Sequence, residues 1–338
     1  MRLGLALSYW RRSPTPDFVD LSREAESLGF DSVWAAEAWG SDAFSPLVWV
    51  AARTNRVKLG TAVVQMAART PTATAMHALT LDHLSGGRVI LGLGLSGPQV
   101  VEGWYGRPFP KSPLTFTREY VDVVRQVLRR EGPVALEGRY VQHPYRGEDG
   151  TGLGRTLKSI THPLRADLPV FLGAQGPKNV GLTTRIADGW LPASWSPFNH
   201  SAYADALRDR PAGFRIAPLV HVQLNEDVAA AMRPVKASIA FYVGGMGAVS
   251  RNFHADLMRR FGYGDAADQV QGLFLAGRRE EAVAAVPDAY IDEIALVGPA
   301  DRIRERFAAW AADPYVTDLL ASTRDPAALR VLADLANG

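Results

Sequence analysis

Apolar and polar positions along the chain switch repeatedly between two periods. Residues 2–8 alternate and end at aromatic side chains, which predicts a short strand. Residues 17–28 place Phe18, Leu21, Ala25 and Leu28 at helical spacing, with Gly29 as a stop. The alternation continues with strands predicted at 32–36, 57–65 and 88–94 and helices at 43–53 and 72–84. A helix with Val121, Val124 and Leu128 on one stripe spans 117–130. Residues 132–143 carry the turn residues and β-formers of a hairpin, and 147–163 form a Gly-rich connection. Further strands are predicted at 168–174, 189–192, 216–224 and 291–297. Helices follow at 177–187 and 301–311, and several more fall within 226–286.

Strands of this kind, many almost wholly apolar and alternating with helices, imply a parallel sheet covered by helices. Eight such units favour an α/β closed (β/α)8 TIM barrel over an open doubly wound sheet. The expectation is one domain over residues 1–338, with insertions near 132–165 and 226–286.

Composition then narrows the function classes. The 338 residues are 47% apolar and 21% charged, ample for a core, and no apolar run reaches the length of a membrane span. The stretch from Arg2 to Trp10 resembles the start of a signal peptide. It lacks a small-x-small cleavage site and runs into Arg11-Arg12, so it is read as the first strand. With no cysteine there is no disulfide framework and no thiolate chemistry, and a cytoplasmic, soluble protein is expected. A net charge of +2 without a basic run argues against a nucleic-acid partner. The seven scattered histidines form no metal-binding pair, so no metal is expected.

Two glycine motifs carry chemistry. Gly92-Leu93-Gly94-Leu95-Ser96-Gly97 matches the dinucleotide fingerprint, but it follows the fourth strand and Pro98 comes next. Its glycines would instead let a flat ring approach a strand end, or serve packing alone. Gly173-Ala174-Gln175-Gly176-Pro177-Lys178-Asn179 joins a strand to a proline-started helix, where free amides and Lys178 would favour a phosphate. A plain Gly turn before a helix is the alternative. Tyr242, Gly244-Gly245-Met246-Gly247, Asn252, Phe253 and His254 form either a helix–turn–helix connection or part of a largely apolar small-molecule site.

These segments, with Ser32-Val33-Trp34-Ala35-Ala36-Glu37, Leu59-Gly60-Thr61-Ala62-Val63, Arg69-Thr70-Pro71, Asp82-His83-Leu84-Ser85-Gly86-Gly87-Arg88 and Ala187-Asp188-Gly189-Trp190, resemble the luciferase-like flavin-dependent oxidoreductases. Within that superfamily the chain is most similar to the actinobacterial branch that uses the deazaflavin coenzyme F420. The resemblance implies a coenzyme laid across the strand ends, with Glu37, Ala62, Val63, Ser96, Gly97 and residues Gly173 to Lys178 beside it. It also implies a cis peptide at Ala62–Val63. The sugar-phosphate dehydrogenases of the superfamily have a histidine after the acid and a glutamate after strand four. Here Ala38 and Gly97-Pro98 stand in those places, which speaks against their chemistry.

The expected reaction is hydride transfer from the reduced deazaflavin to an electron-poor C=C or C=N bond, with the protein supplying one proton. Tyr9, Glu37, Glu102, Tyr105 and His221 are candidate proton donors, and Trp104, Tyr242 and Phe253 candidate substrate contacts. The substrate is expected to be a small molecule or a modified peptide, and the protein a homodimer. An FMN-dependent monooxygenase and a non-catalytic deazaflavin binder are the rival readings.

Overall fold

The computed structural model describes residues 1–7, 18–246 and 252–337. Eight parallel segments make the barrel: Arg2–Ala6, Ser32–Ala35, Lys58–Thr61 with Val64–Gln65, Val89–Gly94, Val170–Leu172, Gly189–Trp190, Arg215–Ile216 with Leu219–Leu224, and Asp318–Ser322. The seventh breaks only at Ala217 and Pro218. Its first part pairs with Gly189–Trp190 and its second with Asp318–Ser322, which in turn pairs with Arg2–Ala6. Thr317 N–H donates to the Ile216 carbonyl at 3.0 Å, so the ring closes.

Closure corrects one sequence expectation. The run near 291–297 is not the eighth barrel strand. Ala295–Gly298 pairs on the outside of His221–Leu224, and Asp318–Ser322 fills the eighth place. Asp318 explains that choice of register. Its buried carboxylate accepts Arg2 Nε at 2.9 Å and Arg215 Nε at 3.1 Å, and Asp31 lies 3.6 Å from Arg215. An ion cluster thus plugs the end where the strands begin.

Two layers of apolar packing follow from strand alternation. One set of side chains meets the surrounding helices. The other forms a small interior cluster of Ala6, Trp34, Ile90, Phe171, Leu191, Ala217 and Leu320. Trp34 and Phe171 fill the interior because glycines face them. A Cβ on Gly60 would lie 2.1 Å from the Trp34 ring, and one on Gly189 2.6 Å from Phe171.

At one long helix a proline start and a side-chain cap coincide. Thr70 Oγ1 accepts the Ala73 amide at the head of Pro71–Ser85, which ends at Gly86 with φ 68°. The predicted hairpin is present as Leu136–Glu137 and Gln142–His143. The region after strand seven holds the helices Val228–Gly245, Phe253–Arg260, Gly264–Leu275, Arg279–Ala284 and Asp288–Ile294. Gly244 and Gly245 end the first of these helices and bring it against Phe274, which a Cβ on Gly244 would strike at 2.3 Å.

Candidate functional site at the barrel mouth

At the C-terminal ends of the strands the backbone departs from regular pairing at one place. The third strand pairs with the fourth as Gly60↔Ile90, and resumes as Val64↔Leu93, so one extra residue is accommodated between them. The Ala62–Val63 peptide within this bulge is cis. Thr61 covers the resulting gap in the ladder. Its hydroxyl accepts from Gly92 N–H and donates to the Gly92 carbonyl, both at 2.8 Å. Ala62 N–H donates to Ala35, and Glu37 N–H donates to the Val63 carbonyl at 3.2 Å. Strands two, three and four are therefore locked together at the mouth.

The glycines of the fourth and fifth strand ends complete the shape. A Cβ on Gly94 would lie 2.4 Å from Val63 Cγ2, and one on Gly173 3.2 Å from Val63 Cγ1. A Cβ on Gly92 would meet the Thr61 carbonyl oxygen at 1.9 Å, so packing accounts for that glycine. Side-chain bulk is thus missing along one line across the mouth, with the Val63 side chain lying on it. Ser96 follows at φ 69°, and Gly97 heads the short helix Pro98–Gly103 without a side-chain cap.

Glu37 is buried, and both its carboxylate oxygens lie 2.8 Å from Arg69 Nη1. Arg69 also lies over Phe44, 5.6 Å from the ring centroid. Gln65 donates to the Glu37 carbonyl, while its own Oε1 is buried with no hydrogen-bond partner among the described residues. Tyr105 comes close to the same pair. Burial and then the Glu37 charge push its phenol up to about 12, so it holds its proton at neutral pH. His221 is half-buried on strand seven, and burial pushes its imidazole down to about 4.

The second glycine motif is held from below. Trp190 Nε1 donates to the Ala174 carbonyl, and Tyr203 and Arg260 both donate to the Gln175 carbonyl at 2.9 Å. Gly176 precedes the helix Pro177–Ile186, whose first turn keeps the Lys178 amide outside the intrahelical ladder. The side-chain oxygens of Gln175 and Asn179 are buried without a hydrogen-bond partner among the described residues. Buried polar atoms of this kind ordinarily find a partner. This corner therefore has free donors and acceptors for a polar ligand.

The mouth brings together Glu37, Ala62, Val63 and Gly173, and the loop that continues from Gly173 carries Ala174, Gln175, Gly176 and Pro177. Lys178 is exposed, and so is Trp104. Glu102 is turned to the surface, accepting the Phe109 amide. Tyr242 packs against His254, 4.7 Å between ring centroids, and Phe253 begins the helix that ends in Arg260. The Arg260 bond to Gln175 seats that inserted helix on the strand-end side of the barrel. Tyr9 lies outside the described residues. Arg260 gives no local signal in the sequence, whereas Arg69 is legible only as part of Arg69-Thr70-Pro71.

The family model for luciferase-like monooxygenases matches residues 5–318. A Mycobacterium tuberculosis protein named "Putative coenzyme F420-dependent oxidoreductase" is 53% identical over 321 residues, covering 92% of each chain. The 5,10-methylenetetrahydromethanopterin reductase of Methanolobus tindarius is 30% identical over 69% of each chain. Among solved structures, the coenzyme F420-dependent tetrahydromethanopterin reductase of Methanopyrus kandleri superposes with a TM-score of 0.80 at 23% identity, covering 98% of both chains.

Proposed function

This chain belongs to the luciferase-like monooxygenase family, and from that premise we propose that it is a coenzyme F420-dependent oxidoreductase built as one barrel domain. Its reaction is transfer of a hydride to an electron-poor C=C or C=N bond of a small organic molecule or a dehydroamino acid in a modified peptide. The observation that carries the reading is the line across the mouth where Gly94 and Gly173 leave no Cβ and Val63 supplies an apolar wall. A flat tricyclic ring needs such a wall, and a side chain at either glycine would displace the Val63 side chain that forms it.

The residues present fit the coenzyme. Ala62, Val63, Gly94 and Gly173 would hold the ring. The Lys178 amide and the unpartnered Gln175 and Asn179 oxygens would hold its polar tail, with Ser96 and Gly97 at the adjoining strand end. When bound, reduced F420 supplies the hydride, so the protein has to position the acceptor and deliver one proton. Tyr105 holds a proton at neutral pH beside the Glu37–Arg69 pair, and is the preferred donor among the candidates. Arg69 holds the Glu37 carboxylate in place at 2.8 Å, which makes it an anchor for the Tyr105 hydroxyl. His221 stays neutral inside the barrel and serves as a polar contact to the acceptor.

The test is anaerobic turnover of reduced F420 against a panel of enones, imines and dehydroamino-acid peptides, followed by the return of oxidised-coenzyme absorbance. Acceptor-dependent oxidation with one proton taken from solvent supports the reading. Tight binding without turnover across the panel would turn the protein into a deazaflavin carrier.

A further inference from the structure

The inserted helix Phe253–Arg260 is fastened at both ends. At its start Asn252 accepts the His254 and Ala255 amides at 3.0 Å. The same side chain donates to the Val243 carbonyl at 2.6 Å and so ties the helix to the one before it. At its end Arg260 Nη2 donates to the Gln175 carbonyl, and the guanidinium lies 5.9 Å from the centroid of the Tyr203 ring. Those contacts leave one donor idle. Arg260 Nε is buried with no hydrogen-bond partner among the described residues.

The charge of this side chain is idle as well. Among the described residues the other arginine with such an Nε is Arg306, and Asp292 lies 4.0 Å from its Nη1. Arg260 has no acidic partner among the described residues. Carboxylates of its own insertion are committed elsewhere: Asp256 and Asp268 hold Arg259, and Glu293 accepts from Tyr263 and Ser196. A cation partly withdrawn from water without an anion is costly, and an anion brought by a ligand offsets that cost.

We propose that Arg260 is a recognition residue for an anionic oxygen group, phosphate or carboxylate, on the ligand of the mouth, the place of that ligand resting on the coenzyme reading above. The Gln175 carbonyl that Arg260 holds immediately precedes Gly176 and the helix Pro177–Ile186, so the guanidinium stands beside the corner that would hold the polar tail. Free groups of both kinds belong to this corner. Gln175 Oε1 and Asn179 Oδ1 accept, whereas Arg260 Nε and the Lys178 amide donate. Hydroxyls satisfy the first pair and an anionic oxygen the second. Arginine suits the task because Nη2 stays on the Gln175 carbonyl while Nε, a separate donor of the rigid fork, serves the anion.

The anion has two possible sources. F420 carries a phosphate and carboxylates beyond its ribityl chain, and an acceptor can carry a carboxylate. Fluorescence titration of the coenzyme-free full chain with F420, and with the ribityl deazaflavin that lacks the phosphate, separates them. For a coenzyme anion, Arg260→Gln should cut F420 affinity about 10- to 100-fold, the scale of one charge-assisted hydrogen bond, and leave that of the phosphate-free compound unchanged. Arg260→Lys keeps the charge and should recover part of the loss, and it carries the test should the glutamine variant fail to fold. For an acceptor anion, both coenzyme affinities stay as they are. The Arg260→Gln protein loaded with oxidised F420 should then lose affinity for a carboxylate-bearing enone but not for its methyl ester. Far-UV circular dichroism establishes that each variant is folded. Equal weakening of F420 and the phosphate-free compound, or no change with any of these ligands, would reduce Arg260 to a seat for its helix and overturn the proposal. A wild-type chain that prefers FMN would sink the coenzyme reading instead, and FMN against riboflavin then puts the same question to Arg260.

Discussion

The floor of the barrel, where the strands begin, is closed by charges that answer one another: Arg2 and Arg215 converge on Asp318, with Asp31 beside them. At the mouth, where the strands end, Glu37 and Arg69 pair in this way. Around them Gly94 and Gly173 pack directly on the Val63 side chain, and buried oxygens on Gln65, Gln175 and Asn179 have no hydrogen-bond partner among the described residues. The floor pairs its charges within the protein, whereas the mouth gathers polar atoms and an apolar wall that a ligand can meet. Substitutions at the floor should therefore register in stability, and those at the mouth in binding.

The largest effect that would break this contrast is at the floor. Asp318→Ala leaves two arginines without their buried partner and should cost about 3 kcal/mol of unfolding free energy in urea titrations. Burial alone would raise the Asp318 pKa, but hydrogen bonds from Arg215 and Arg2 outweigh it and leave it below its ordinary 3.8. Its contribution is then full above that value and lost as pH falls through the lower folded value. An Asp318→Asn variant should lack this part of the acid unfolding curve. If Asp318→Ala instead spared stability and abolished coenzyme binding, the two ends would have exchanged roles.

Bulk at the mouth comes next. Ala62→Leu should lower F420 affinity by about 5- to 160-fold, the range for ~1–3 kcal/mol of overpacking, with little change in the unfolding midpoint. A loss of stability with intact binding would mean that Ala62 belongs to the core rather than to the ligand wall. Lys178→Ala should be milder, because the side chain is exposed. About a fivefold loss at low salt, vanishing at high salt, is the expected result in fluorescence titrations. The smallest effect concerns His221, which burial holds near 4. Its replacement by glutamine should leave the pH dependence of coenzyme affinity between 6 and 8 unchanged, and a titration lost in that window would show that His221 ionises there.

The sequence made the first four strands and their helices legible because each carries a periodic apolar pattern and a proline or glycine boundary. The eighth strand was harder to read. Residues 291–297 and 318–322 are both short apolar runs, and only pairing with Arg2–Ala6 at the far end of the chain separates them. The Glu37–Arg69 pair and the Arg260–Gln175 bond join residues 32 and 85 positions apart, beyond any local pattern. The wall of Val63 on Gly94 and Gly173 was readable through the family resemblance. No periodicity in those residues brings three strand ends together.

Titration of the coenzyme-free protein with F420 and, separately, with FMN, read by quenching of tryptophan fluorescence, tests the central claim most directly. The account predicts saturable F420 binding at one per chain and at least tenfold weaker binding of FMN. Preferential FMN binding, accompanied by oxygen uptake on reduction, would contradict it and make the protein a flavin monooxygenase.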